Sequence, residues 1–158
     1  MQLKSITAIT VLLLVVASLS VAGCTQTTTQ TPGSGQQTVT ATSGKEQVSA
    51  IKVTVPQKIG LQTPKTGYKF VGFNVTIKDI AADPGQSDAG YWTLRDTAGH
   101  VYTYSDNATY DMANVDKLPI MKMQPGDSVS GIIIYEMPQN ATLKSLTYDH
   151  YDRVIIPL

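Results

Sequence analysis

The sequence is short of cysteine, of charge and of histidine, and each shortage excludes something. Its only cysteine is Cys24. A secreted domain stapled by disulfides needs pairs of cysteines inside the fold, so residues 45–158 must hold together through their core. The same shortage excludes a blue-copper site, which needs a thiolate beside two histidines within the fold. Charged residues make up 15% of the chain, against about a quarter in ordinary domains. The deficit is local, because after Lys4 no charged residue occurs until Lys45. With 12 basic and 12 acidic residues the formal net charge is zero, and no basic patch interleaved with aromatics marks a nucleic-acid surface. No Gly-rich phosphate loop, G-x-S-x-G elbow or H-E-x-x-H motif occurs.

What is present begins with an address. Residues 1–23 carry one positive charge, Lys4, then an apolar run over 6–19, then small residues. This is the layout of a secretory signal. The apolar run is shorter than the ~20 residues of a comfortable bilayer span, and no basic stop-transfer cluster follows. Val21, Ala22, Gly23 and Cys24 resemble the lipobox of prokaryotic lipoproteins. The resemblance implies cleavage before Cys24, a diacylglycerol on its thiol, and a mature protein anchored to the outer face of the cell membrane, its domain extracellular or periplasmic. Each buried methylene of such a lipid contributes about 0.8 kcal/mol.

Residues 24–44 read as the lipidated cysteine and a linker. Eight of the twenty residues from 25 to 44 are threonine, and Val39 is the one sizeable apolar side chain. Such a segment buries too little to offset its ordering entropy, so it is expected to be disordered, with a root-mean-square span of about 25 Å. Dense threonine with proline also suits an O-glycosylated stalk.

From Lys45 onward the dominant period is two. Strands are expected over 48–55, 68–77, 91–95, 100–104, 120–123, 129–137, 143–148 and 153–156, separated by turn residues. Residues 91–95 and 100–104 flank Asp96-Thr97-Ala98-Gly99 and predict a hairpin. Residues 105–118 form a long polar connection. The expected fold is all-β: an antiparallel immunoglobulin-like β-sandwich of seven or eight strands over 45–158, preceded by the signal segment and the disordered tether. In the strand 129–137, Val129, Gly131, Ile133, Tyr135 and Met137 are expected inside, because the other face carries Ser130 and Glu136, which are costly to bury unpaired. Ile132 and Ile134 are then expected on an outer face. Phe73 and Trp92 are expected in the core.

Two segments carry a family resemblance, W-T-L-R-D-T-A-G-H-V-Y over 92–102 and M-Q-P-G-D-S-V-S-G-I-I-I-Y-E-M-P over 123–138. Leu94, Asp96, Gly99 and Tyr102, then Pro125, Gly126, Asp127, Gly131, Tyr135 and Pro138, fall in the order seen in secreted bacterial and archaeal domains of unknown function. Those domains resemble the mycobacterial immunoprotective extracellular antigens in their immunoglobulin-like sandwich. The resemblance implies the fold and carries no catalytic residues with it.

Candidate site residues are few. A zinc site from His100, His150 and an aspartate is conceivable, but a pair of surface histidines is the expectation, with no metal and no cofactor. Asp83, Asp88, Asp106, Asp111 and Asp116 lie in two loops without EF-hand spacing, as ordinary turn residues do. Tyrosine is the mild surplus, eight against two phenylalanines. Tyr102, Tyr104 and Tyr110 flank the long connection and are the candidate recognition residues, since tyrosine offers area and a polar tip at low entropy cost. Asn107 and Asn140 head sequons in loops, and Asn74 heads one inside a strand. The expectation is a non-catalytic binding module displayed by a surface lipoprotein, with a monomeric domain, the membrane reached through the lipid on Cys24, and an unknown surface or envelope partner. The alternatives are a structural envelope or adhesion-type spacer and a small-ligand or metal-binding lipoprotein.

Overall fold

A computed structural model of the chain describes residues 28–31, 38–42, 44–112 and 117–158. The expected signal segment over 1–23 and Cys24 lie outside the described residues. The strands in chain order are β1 (Thr28–Thr31), β2 (Thr38–Thr42), β3 (Glu46–Val53), β4 (Tyr68–Asp79), β5 (Gly85–Ser87), β6 (Trp92–Asp96), β7 (Val101–Thr103), β8 (Met121–Met123), β9 (Ser128–Pro138), β10 (Leu143–Asp149) and β11 (Arg153–Pro157). One short helix, α1 (Asp106–Tyr110), lies within the long polar connection. The protein is the expected all-β sandwich. A five-stranded antiparallel sheet, β1-β2-β3-β4-β9, packs on a four-stranded one, β11-β10-β6-β7, with a small β5-β8 ribbon beside them. The eight strands anticipated from alternation are β3, β4 and β6 to β11, and the β6–β7 hairpin pairs as expected.

Three strands were not anticipated, and two of them correct the linker. Thr38–Thr42 reads T-V-T-A-T and is β2, with Val39 and Ala41 buried. Thr28–Thr31 is β1 and pairs with it at the sheet edge. Low hydrophobicity argued for disorder there. However, threonine is β-branched and suits a pleated surface, and two small inward side chains on β2 are enough when β3 already offers a paired edge. The sandwich therefore begins ahead of residue 45.

The main core lies between the sheets. Val48, Ala50, Phe73, Val75 and Ile77 come from the five-stranded side, and Trp92, Leu94, Leu146, Tyr148, Val154 and Ile156 from the other. Phe73 and Tyr135 meet edge to face at 6.0 Å, a preferred aromatic geometry. Each fully buried side chain of this size contributes about 1.5–3 kcal/mol.

On β9, Gly131, Ile133, Tyr135 and Met137 are buried as expected. The expectation for the opposite face needs correction. Ile134 is fully buried too, in a second cluster with Val55, Ile59, Phe70, Ala108 and Met112, and Ile132 packs against it. The cover comes from α1 and the segment after β3. Ser130 and Glu136 stay outside this patch, so a strand with polar ends is buried on both faces in its middle. Covering chain also explains Gly131. A Cβ there would run into the backbone of Leu118, which passes beside β9 and donates its N–H to the Ile132 carbonyl at 3.3 Å.

The sandwich has two distinct ends. Thr28, Ala41, Val48, Ile77 and Val129 stand in one row across the five-stranded sheet. Beyond that row lie Glu46, Asp79, the 124–127 turn and the β10–β11 turn. The opposite end carries the β6–β7 turn, the β9–β10 turn and Leu158, whose N–H reaches the Lys144 carbonyl.

Candidate functional site

At the first end, alternation along β3 turns Glu46 to the same side as Val48 and Ala50, and its side chain is 1% exposed. Its Oε1 lies 3.1 Å from His150 Nδ1 in the β10–β11 turn, a contact that joins the two sheets. The Tyr148 hydroxyl lies 3.4 Å from the same nitrogen. The His150 ring is held between Tyr91, stacked at 4.2 Å, and Tyr151 at 4.0 Å. Lys45 places its ammonium 4.6 Å from the centre of the Tyr151 ring. Burial first, then the charge of Glu46, pushes the Tyr148 hydroxyl well up from its ordinary range. Burial and Asp88 raise Tyr91. Asp79 stands opposite Glu46 in register and accepts the N–H groups of Ala81 and Gly85 at 3.0 and 2.8 Å. It shapes the loop that leaves β4. His150 was expected at the surface, but its side chain is only 13% exposed. Its local sequence, Y-D-H-Y-D, reads as a polar turn, and much of the cover comes from Glu46 and Tyr91, both distant in the sequence. The inward parity of 46, 48 and 50 was the signal that could have found Glu46.

His100 is at the other end, so the two histidines do not converge. Among the described residues no three His, Cys, Asp or Glu side chains are grouped as metal ligands. Asp96 closes the β6–β7 turn. Its carboxylate accepts the backbone N–H of His100 at 2.8 Å and the Tyr102 hydroxyl at 2.7 Å, and it faces His100 Nδ1 at 2.9 Å. Burial works to raise the Asp96 carboxyl, but the hydrogen bonds from Tyr102 and His100 outweigh it and hold it at about 2. Burial and the bond to Asp96 push Tyr102 up to about 12. Gly99 supplies the left-handed residue of the turn, at φ 94°.

The three candidate tyrosines are not one site. Tyr102 braces the turn through its hydroxyl. Tyr104 bridges by backbone to Tyr135 and packs on the main core. Tyr110 lies in α1 beneath the Lys117 ammonium, 4.4 Å from the ring centre. Tyr104 and Tyr110 do share surroundings, since burial and then Asp106 raise both hydroxyls. Asn107, in α1, and Asn140, in the β9–β10 turn, are exposed, and Asn74 is exposed on β4.

The open surfaces lie elsewhere. The outer face of the four-stranded sheet forms a depression of about 750 Å³ lined by Tyr91, Thr93, Arg95, Lys144, Thr147 and Ile155, among others. Arg153 and Asp149 pair on its rim at 2.6 Å. A groove of about 640 Å³ at the second end is lined by Val39, Lys52, Val55, Lys69, Leu143 and Leu158 among others. A smaller hollow of about 230 Å³ lies between Asp96, His100, Tyr102 and Asn140. None of these was legible in advance, because the strand pattern distinguishes inward from outward and does not show which outward face is left uncovered.

Among solved structures the chain is similar to a candidate lipoprotein, ycdA, from Bacillus subtilis subsp. subtilis str. 168, with a TM-score of 0.58 at 19% identity. The match covers 75% of this chain and 38% of that one, so the chain spans well under half of that neighbour. A conserved hypothetical protein from Bacillus anthracis matches with a TM-score of 0.43 at 14% identity, over 80% of this chain and 86% of that one. A functionally unknown protein from Listeria monocytogenes EGD-e matches with a TM-score of 0.46 at 10% identity, over 85% and 82%. No curated protein matches the chain. Residues 36–153 match the family described as Domain of unknown function (DUF4352). That match takes in every strand from β2 through β10, and the chain belongs to this family.

Proposed function

We propose that the chain is a surface lipoprotein, anchored through Cys24, that displays its sandwich as a non-catalytic binding module. The observation that carries the reading is the unequal treatment of the two outer faces. The five-stranded sheet has the middle of its outer face covered by α1 and the 55–62 segment, with Ile134 fully buried beneath them. The four-stranded sheet leaves a depression of about 750 Å³ uncovered, lined by apolar side chains together with Arg95, Lys144 and Arg153. A molecule whose fold alone mattered would gain nothing from that difference. The V-A-G-C segment and the lipoprotein description of the Bacillus subtilis neighbour support the anchor.

Photo-crosslinking residues placed at Thr93 and Thr147, on the open face, and at Gln47, exposed on β3, test the module in intact cells. Discrete adducts from Thr93 and Thr147 but not from Gln47 are expected. Indistinguishable patterns would leave the spacer as the better reading. Separately, Cys24→Ser is expected to remove the lipid mass and the membrane association. A variant that keeps both would refute the anchor.

A further inference from the structure

We infer that β1 fixes how the sandwich stands on the membrane: the end carrying Lys45, Ile80 and Tyr151 faces the lipid headgroups, and the β6–β7 and β9–β10 turns face away. The inference rests on the lipid at Cys24 proposed above and adds the surface that meets the bilayer. A free linker running to residue 44 would allow any orientation. The sheet removes that freedom. Thr28 pairs with Ala41 in the edge row of the five-stranded sheet, and only four residue steps separate it from Cys24. Fully extended, that length is at most about 14 Å. Strand β1 runs from Thr28 toward Thr31, away from the end where Glu46 and Asp79 lie. The lipidated residue therefore stays close to that end. The far turns lie the length of β4 away, 12 residues, or about 40 Å.

The side chains at the near end suit a headgroup layer. Tyr151 is 43% exposed and Ile80 is 45% exposed. Tyr151 carries the Lys45 ammonium over its ring at 4.6 Å and donates its hydroxyl to the Pro84 carbonyl at 3.1 Å. Amphipathic rings beside a cation settle where one side is apolar and the other wet. Asp83, Asp127 and Asp152 stand at the same end, so attraction to anionic lipid is not the force. The short chain holds the end down, and the orientation should be insensitive to salt.

The test uses the full lipidated chain in phosphatidylcholine vesicles that contain a headgroup-quencher lipid. A fluorophore is attached at Asp83→Cys, near, or at Ala98→Cys, far. Quenching several-fold stronger at the Asp83→Cys label is expected, unchanged by salt. A long flexible Gly/Ser insertion between Cys24 and Thr28 should bring the two labels together. Equal quenching without the insertion, with protein still on the vesicles, overturns the orientation and leaves the anchor standing. A bias that survives the insertion overturns the role of β1. A chain that does not stay with the vesicles overturns the anchor and the orientation together.

Discussion

The two outer faces of the sandwich use the same residue alternation to opposite ends. On the five-stranded side, outward residues Phe70, Ile132 and Ile134 are large and apolar, and the chain returns twice to cover them. On the four-stranded side, the outward residues of β6 and β10 include Thr93, Arg95 and Thr147, which line the open depression. The difference teaches that an outward apolar residue in a strand predicts a cover, whereas an outward Thr or Arg predicts solvent or a partner. It also locates the stability of the second layer in a few side chains under a five-residue helix.

That contrast can be broken from either side. The largest effect is expected beneath the cover. Ile134→Ala should cost about 2–5 kcal/mol in denaturant unfolding, as much as Ile133→Ala in the main core. A much smaller loss at Ile134 would mean that the cover is loose. Gly131→Ala should follow, at about 1–3 kcal/mol, because the added methyl meets the Leu118 backbone rather than a side chain that can swing aside.

The hairpin that carries the open face has its own test. The hydrogen bonds from Tyr102 and His100 hold Asp96 at about 2, below the ordinary carboxylate range, so its contribution is complete above about pH 4 and is lost as the pH falls toward 2. Asp96→Asn should lower the melting temperature at neutral pH and flatten the acid limb of the stability profile. An unchanged acid limb would show that other carboxylates set it.

Smaller still is Tyr135→Phe. The Tyr135 hydroxyl is buried and no described residue reaches it with a hydrogen bond. Losing it should leave stability unchanged or raise it by up to about 1 kcal/mol. A loss would point to a partner for that oxygen. On the open face, Thr93→Ala and Thr147→Ala should each stay within about 0.5 kcal/mol. Larger losses there would mean that the face supports the fold rather than being kept for a partner.

Much of the fold was legible because Val, Ile and Phe alternate over 71–77, the run 129–137 is rich in Val and Ile, and turn residues separate the strands. Strand β2 was not, because T-V-T-A-T carries too little apolar mass to register until β3 supplies its partner. Helix α1 was hidden in a polar stretch because the helix itself buries only Ala108 and Thr109. The candidate site fared worse for a physical reason. The Glu46–His150 contact spans 104 positions, and nothing local announces such a pairing. Tyr102 was singled out because it flanks the long connection and tyrosine suits recognition surfaces, yet its hydroxyl is committed to Asp96.

The way β9 ends the five-stranded sheet has a further consequence. As an edge strand it would ordinarily offer unpaired amides and carbonyls to any passing strand. Instead the Ser105 N–H takes the Ile134 carbonyl at 2.7 Å, and the Ile134 N–H is taken by the Thr109 hydroxyl at 3.1 Å. Leu118 covers the next carbonyl, that of Ile132. Ser105, Thr109 and Leu118 thus occupy the hydrogen-bonding groups through which another strand would add to that edge.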